Sequence, residues 1–251
     1  MNRESRFSYQ CNQCGRCCHD QVITLSPWDV LRIARAAGVT TGEAVARYTE
    51  RRGSLLKFGA NGGCVALDGV RCTLHRGRPL ACRLYPLALE RDDAKDGTPD
   101  NATEQFVTLE PAGGSLGVFA NNGTVGAFLA AQGVPEYLEM NTPYARMLPA
   151  FRRRVADLVD FDTVEPREFW RRAVAEALRE SGFDANPLID ALFDSDALGC
   201  GRATDADTVA AHVRALETKI RAEVNPEIIA AAAVMLAVSL GYSPEDAMSE
   251  E

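Results

Sequence analysis

"CNQCGRCCHD", residues 11–20, sets Cys11, Cys14, Cys17 and Cys18 within eight positions, with His19 directly after them. How these thiols are satisfied decides the fold around them. Three thiols at two-residue spacing let one loop wrap three corners of a cubane cluster, with a fourth ligand brought from a distant segment. Zinc sites more often use separated C-x2-C pairs, so the triplet leans toward iron-sulfur chemistry and leaves zinc as the alternative. Gly15 suits both, because a ligand loop directs backbone amides at sulfur and often needs positive φ. Adjacent Cys17 and Cys18 are expected to point in different directions, which leaves one of them to serve a second site or only to pack.

Disulfides are the other fate of clustered cysteines. The stretch "MNRESRFSYQ" at 1–10 has no apolar core that could serve as a signal peptide. The longest apolar run, "IIAAAAVMLAVSL" at 228–240, is shorter than the roughly 20 residues that span a bilayer and reads as a buried helix. We therefore expect a cytoplasmic protein whose thiols stay reduced, for which disulfides are a poor explanation. A net charge of -8 and a pI near 5.1 give no broad attraction to nucleic acid or to an anionic membrane, so neither is expected as a partner. Hydrophobic and charged contents of 46% and 25% are those of a globular chain and exclude a disordered one. The basic run "FRRRVADLV" at 151–159 reads as the solvated side of a helix.

Seven of the eight cysteines lie between 11 and 82, which puts the chemistry in the first third of the chain. Its second part is "CVALDGVRCTLHRGRPLACRLYP" at 64–86, with Cys64, Cys72, His75 and Cys82. Together with the first segment this gives Cys11, Cys14, Cys17, Cys18, Cys64, Cys72, His75 and Cys82 as candidate metal ligands, enough for two four-coordinate sites, and His19 as a spare. A single free cysteine often packs as a small apolar side chain; seven clustered ones in a reduced compartment point to metal. Arg16, Arg71, Arg76, Arg78 and Arg83 lie within these segments and would offset thiolate charge, with Arg83 as the first to test. Trp28 and Tyr85 would shield the centre from water. His212 and Cys200 lie far along the chain and read as structural.

"CNQCGRCC" followed by C-x7-C-x2-H-x3-P-x2-C-R-x-Y-P resembles the YkgJ or CxxCxxCC cysteine-cluster family, described as zinc- or iron-chelating proteins, over about residues 9–90. The related FliB flagellin lysine N-methylases carry a similar cluster associated with iron-sulfur. The resemblance implies an iron-sulfur cofactor, of the 4Fe-4S type, with zinc as the alternative, and a protein or peptide substrate as partner. A weaker likeness runs through "TVGAFLAAQGVPEYLEMNTPYARM" at 124–147, and the helices beyond about 160 have no counterpart. Many relatives carry a further cysteine before a Gly-rich stretch, which here is "EPAGGSLG" at 110–117 without one.

The expected fold is α+β, mostly α: a small cysteine-rich, metal-bound subdomain with short strands, packed on a helical C-terminal half. The division falls at residues 1–120 and 121–251, packed as one compact unit. "SPWDVLRIARAAG" predicts a helix from the Ser26 cap to Gly38, and "TGEAVARYTERRG" a second from Thr41 to near Gly53. "GCVALDGVRCTLH" at 63–75 predicts a hairpin about Asp68-Gly69 with Cys64 and Cys72 on facing strands. "YPLALER" and "EQFVTLEP" predict two further strands joined by the polar loop "DDAKDGTPDNA". From 124 onward apolar residues recur three and four apart in six helical stretches, including "PYARMLPAFRRRVADLVD" as one helix.

"VTLEPAGGSLG" at 107–117 does not match G-x-G-x-x-G, and the alternating strands and helices of a nucleotide-binding fold are missing. The C-x3-C-x2-C of radical S-adenosylmethionine enzymes, a Walker loop, H-E-x-x-H and a Ser-His-Asp set are likewise not found. Three functions remain: an iron-sulfur protein that passes electrons or supports protein modification, a zinc-stabilised interaction module, and a metal-storage protein or metallochaperone.

Overall fold

The computed structural model describes residues 1–92, 103–179, 184–200 and 204–244. The fold is α+β and mostly helical, with short antiparallel strand pairs confined to the N-terminal part. Helix α1, Pro27–Ala37, starts as its sequence dictates: Ser26 and Asp29 form a reciprocal capping box, Pro27 takes the first turn, and Gly38 closes the helix at φ 69°. Helix α2, Thr41–Tyr48, is capped by Thr40 and Glu43. It stops before Gly53, because Thr49–Glu50 (β2) leaves to pair with Leu55–Leu56 (β3). The turn between them runs through Arg51 and Arg52 at positive φ.

The hairpin at Asp68-Gly69 forms, with Leu67–Asp68 (β4) paired to Arg71–Cys72 (β5) and Gly69 at φ 59°. Its ladder is too short to hold Cys64. Leu67 faces Cys72, and the Cys64 amide instead donates to the Cys18 carbonyl at 2.8 Å. Leu87–Asp92 (β6) and Thr103–Thr108 (β7) pair antiparallel as expected; of the polar loop between them, residues 93–102 lie outside the described residues. Like the β2–β3 pair, a further strand pair is not expected from sequence: Arg6–Gln10 (β1) lies against Val118–Thr124 (β8), with a register shift between Arg6 and Ser8. β8 is mostly exposed and carries Asn-Asn-Gly, residues of poor strand propensity, so only pairing with β1 specifies it.

The helical half contains α4 (Val125–Ala131), α5 (Val134–Ala145), α6 (Leu148–Leu158), α7 (Pro166–Ala177), α8 (Pro187–Leu192), α9 (Asp205–Ala222) and α10 (Pro226–Ser239). The stretch expected as one helix from Pro143 is divided: Pro143 lies inside the last turn of α5, and α6 begins at Leu148. The apolar run is α10, buried on nearly every side between α6 and α7, where its alanines allow close approach. Among the described residues no helix is long and apolar enough to cross a membrane. α1 meets the helical half through Trp28, whose ring stands edge-on to Tyr137 at 5.9 Å, and through Arg32 and Arg35, both paired to Asp205 at 2.8 Å. His212 of α9 is buried, with Nε2–H donating to the Ala191 carbonyl and Nδ1 accepting from the Tyr144 hydroxyl, each at 2.9 Å. That satisfied pair of contacts accounts for His212 as a structural residue.

Candidate metal centre

The first cysteine segment is a tight loop rather than a helix. Gln13, Gly15 and Asp20 take positive φ, and Arg16–Cys18 make one 3-10 turn closed by the Cys18 amide on the Gly15 carbonyl at 3.0 Å. His19 Nδ1 bonds that same carbonyl at 3.1 Å, so His19 braces the loop from within. The loop is zipped to the second segment by the Cys64 amide on Cys18 and the Asp20 amide on the Gly62 carbonyl at 2.9 Å. Next to Gly15 packs Val70 at the tip of the β4–β5 hairpin.

All eight cysteines are free thiols. Those of Cys17, Cys18, Cys64, Cys72 and Cys82 are drawn from three segments into one neighbourhood, where each feels the charge of others. The Cys17 and Cys18 thiols meet instead of diverging as expected: a hydrogen bond from Cys18 brings Cys17 down to about 7, and the same contact pushes Cys18 up. Burial pushes Cys64, Cys72 and Cys82 up, with neighbouring thiols adding to the effect. Cys14 turns the other way. Its sulfur accepts the Leu116 amide at 3.5 Å, and this bond, with the Arg16 amide, lowers its pKa. Cys11 is exposed at the rim, within electrostatic reach of Arg78 and Tyr9.

The arginines divide their work. Arg83 is occupied by the backbone: it donates to the carbonyls of Arg78 (3.1 Å), Gln132 (2.7 Å) and Arg76 (2.9 Å), and its guanidinium lies 4.3 Å over the Tyr137 ring. Arg78 is the cation that faces sulfur, within reach of Cys82, Cys11 and Cys72, while bonding His75 Nε2 and Gln132 Oε1. Because a guanidinium only donates, His75 Nε2 is the acceptor and the neutral ring carries its proton on Nδ1, so a metal at His75 would have to displace Arg78 or that proton. Burial and the two arginines lower the His75 pKa, which keeps the ring neutral.

Asp29 was legible only as a first-turn acid. Its buried carboxylate also takes the Leu80 amide at 2.8 Å, fixing the start of α3 (Leu80–Leu84), which carries Cys82. Gly77 presses on the Arg32 carbonyl of α1. Trp28 is buried under this segment, and Tyr85 meets Tyr9 edge-on at 6.0 Å, while its hydroxyl accepts the Ala112 amide. Cys200 stands apart, near Tyr144 and Asp196, with its thiol raised by burial.

Among the described residues no three His, Cys, Asp or Glu side chains stand in ligating geometry. The donor set nonetheless fits a thiophilic metal in kind: reduced thiols converge from three segments beside a cation that offsets thiolate charge.

Residues 10–108 match the CxxCxxCC family model, described as "Putative zinc- or iron-chelating domain". An uncharacterized protein of Methanocaldococcus jannaschii is 31% identical over 95 residues, 36% of this chain. The chain spans about half the length of that curated relative, 50% of it being covered. No solved structure matches the chain. The family resemblance read from the cysteine spacing is therefore borne out over residues 10–108, the stretch that the family model matches.

Proposed function

We propose that this domain holds an iron-sulfur centre, of the 4Fe-4S type, with ligands drawn from Cys11, Cys14, Cys17, Cys18, Cys64, Cys72, Cys82 and His75. The observation that carries the reading is the triplet loop folded over thiols from two other segments, with Arg78 set against them. When bound, such a centre supplies electron transfer. The chain's own residues would position and insulate it: Asp29 fixes the Cys82 helix, Arg78 offsets thiolate charge, and Tyr9 and Tyr85 wall it in. The function is then redox or, as in FliB relatives, support of protein or peptide modification in the cytoplasm.

One observation favours zinc as the second reading. The Cys17 and Cys18 side chains are in hydrogen-bond contact, and thiols that come together in pairs are what a four-thiolate zinc site uses.

Anaerobic purification decides between them. Brown protein with iron and acid-labile sulfide supports the cluster, and its bleaching in Cys14→Ser or Cys82→Ser supports the ligand set. Full colour in those variants overturns the assignment. Colourless protein with stoichiometric zinc moves the function to an interaction module, and metal lost to a weak chelator without unfolding moves it to storage or delivery.

A further inference from the structure

Gln132 lies beyond residues 10–108, in the helical half, where it caps the C-terminal end of α4. Gly133 follows at φ 70° and opens α5, a left-handed turn that sets a corner between the two helices. That corner reaches the thiol site twice. The Gln132 carbonyl, at a helix end where carbonyls lack helical partners, accepts Arg83 Nη1–H at 2.7 Å, and the Gln132 side-chain Oε1 accepts Arg78 Nη2–H. One residue therefore holds two guanidinium groups, one by its backbone and one by its side chain.

The bond to Arg78 is the one that bears on sulfur. With Nη2–H on Gln132 and Nη1–H on His75 Nε2, both ends of its planar fork are held. Its Nε–H is buried and has no hydrogen-bond partner, which leaves a donor over for sulfur, and Cys82, Cys11 and Cys72 lie within reach of the charge. Among the described residues no carboxylate pairs with Arg78, so that charge is not cancelled. Of the two anchors, His75 is itself a candidate ligand, whereas Gln132 stands outside the ligand set and is uncharged. A glutamate in its place would accept the same hydrogen bond but neutralise the guanidinium.

We propose that Gln132 is a positioning residue of the metal centre: its neutral amide holds the Arg78 guanidinium against the thiols without cancelling its charge. The inference rests on the metal-centre reading and deepens it, giving the helical half a part in setting how tightly the thiols hold metal.

The test compares Gln132→Leu, which removes the acceptor, with Gln132→Glu, which keeps an acceptor oxygen and cancels the charge, both in the full-length protein. The probe is the metal that the anaerobically purified wild type holds, zinc or iron with sulfide, read by competition against a chelator; where iron is present the midpoint potential is measured as well. Both variants are expected to bind metal about tenfold more weakly, and an iron centre in either becomes harder to reduce. The melting temperature of Gln132→Glu is not lowered, because its carboxylate pairs with Arg78. In an Arg78→Gln background Gln132→Leu adds no further loss of affinity, since its effect runs through Arg78. Wild-type affinity in Gln132→Glu overturns the proposal, because a purely structural acceptor tolerates a carboxylate, and so does an additive loss in the double variant or a fall in affinity of Gln132→Glu matched by a fall in its melting temperature. Should Gln132→Leu fail to fold, Gln132→Glu decides alone. Wild type that takes up neither metal overturns the metal-centre reading and this inference with it; metal-loaded wild type with unchanged variants overturns this inference alone.

Discussion

Replacing Asp29 with Ala removes the acceptor of three donors at once: the Ser26 amide, the Ser26 hydroxyl and the Leu80 amide, each at 2.8 Å. The site is 1% exposed, so water does not replace the carboxylate. A buried donor left without a partner costs about 1–3 kcal/mol. Two backbone amides are orphaned, giving a loss of about 2–6 kcal/mol, a large part of a native stability of about 5–15 kcal/mol. For a chain of this size that lowers the melting temperature by roughly 10 °C. Leu80 opens the helix that carries Cys82, so metal stoichiometry falls together with stability. Asp29→Asn keeps one acceptor oxygen and loses about half as much. Urea denaturation followed by circular dichroism, with metal analysis at each preparation, measures both effects. A loss in Asp29→Ala below about 0.5 kcal/mol with full metal content would refute the claim that this carboxylate ties α1 to the thiol site.

Burial, partly offset by the Ala191 carbonyl, lowers the His212 pKa from its ordinary 6.5. The unfolded chain therefore takes up the proton first: the contribution of His212 is complete above about pH 6.5 and is lost as pH falls below it, at up to about 1.4 kcal/mol per pH unit. Urea midpoints across that range should show the slope, and His212→Gln should flatten it. Arg83→Gln strips three carbonyls of their donor and destabilises the fold by about 2–4 kcal/mol, whereas Arg78→Gln leaves the melting temperature nearly unchanged and weakens metal affinity at least about tenfold in a chelator competition. The reverse pattern would show that the two guanidinium groups have exchanged roles. Gly77→Ala places a Cβ on the Arg32 carbonyl oxygen, a backbone atom that cannot step aside; a thermal melt should show a loss of about 1–3 kcal/mol, and a stable Ala variant would mean the thiol segment does not press on α1 as described.

Local signals determined much of this protein. The Ser26-x-x-Asp29 box, the Asp68-Gly69 turn and the three-and-four spacing of the helical half each act over a few residues, so the sequence carries them whole. The cysteine spacing was equally legible, down to the positive φ of Gly15. What no local pattern holds is which distant groups meet. β8 is a strand only because β1 lies beside it, and Cys64 turns to Cys18 instead of Cys72 because a two-residue ladder ends too soon to carry it. Arg78 and Arg83 are five residues apart and chemically identical. Three carbonyls placed by the fold claim Arg83 and leave Arg78 to the thiols, since a guanidinium goes where unpaired acceptors have been gathered, and only tertiary structure gathers them.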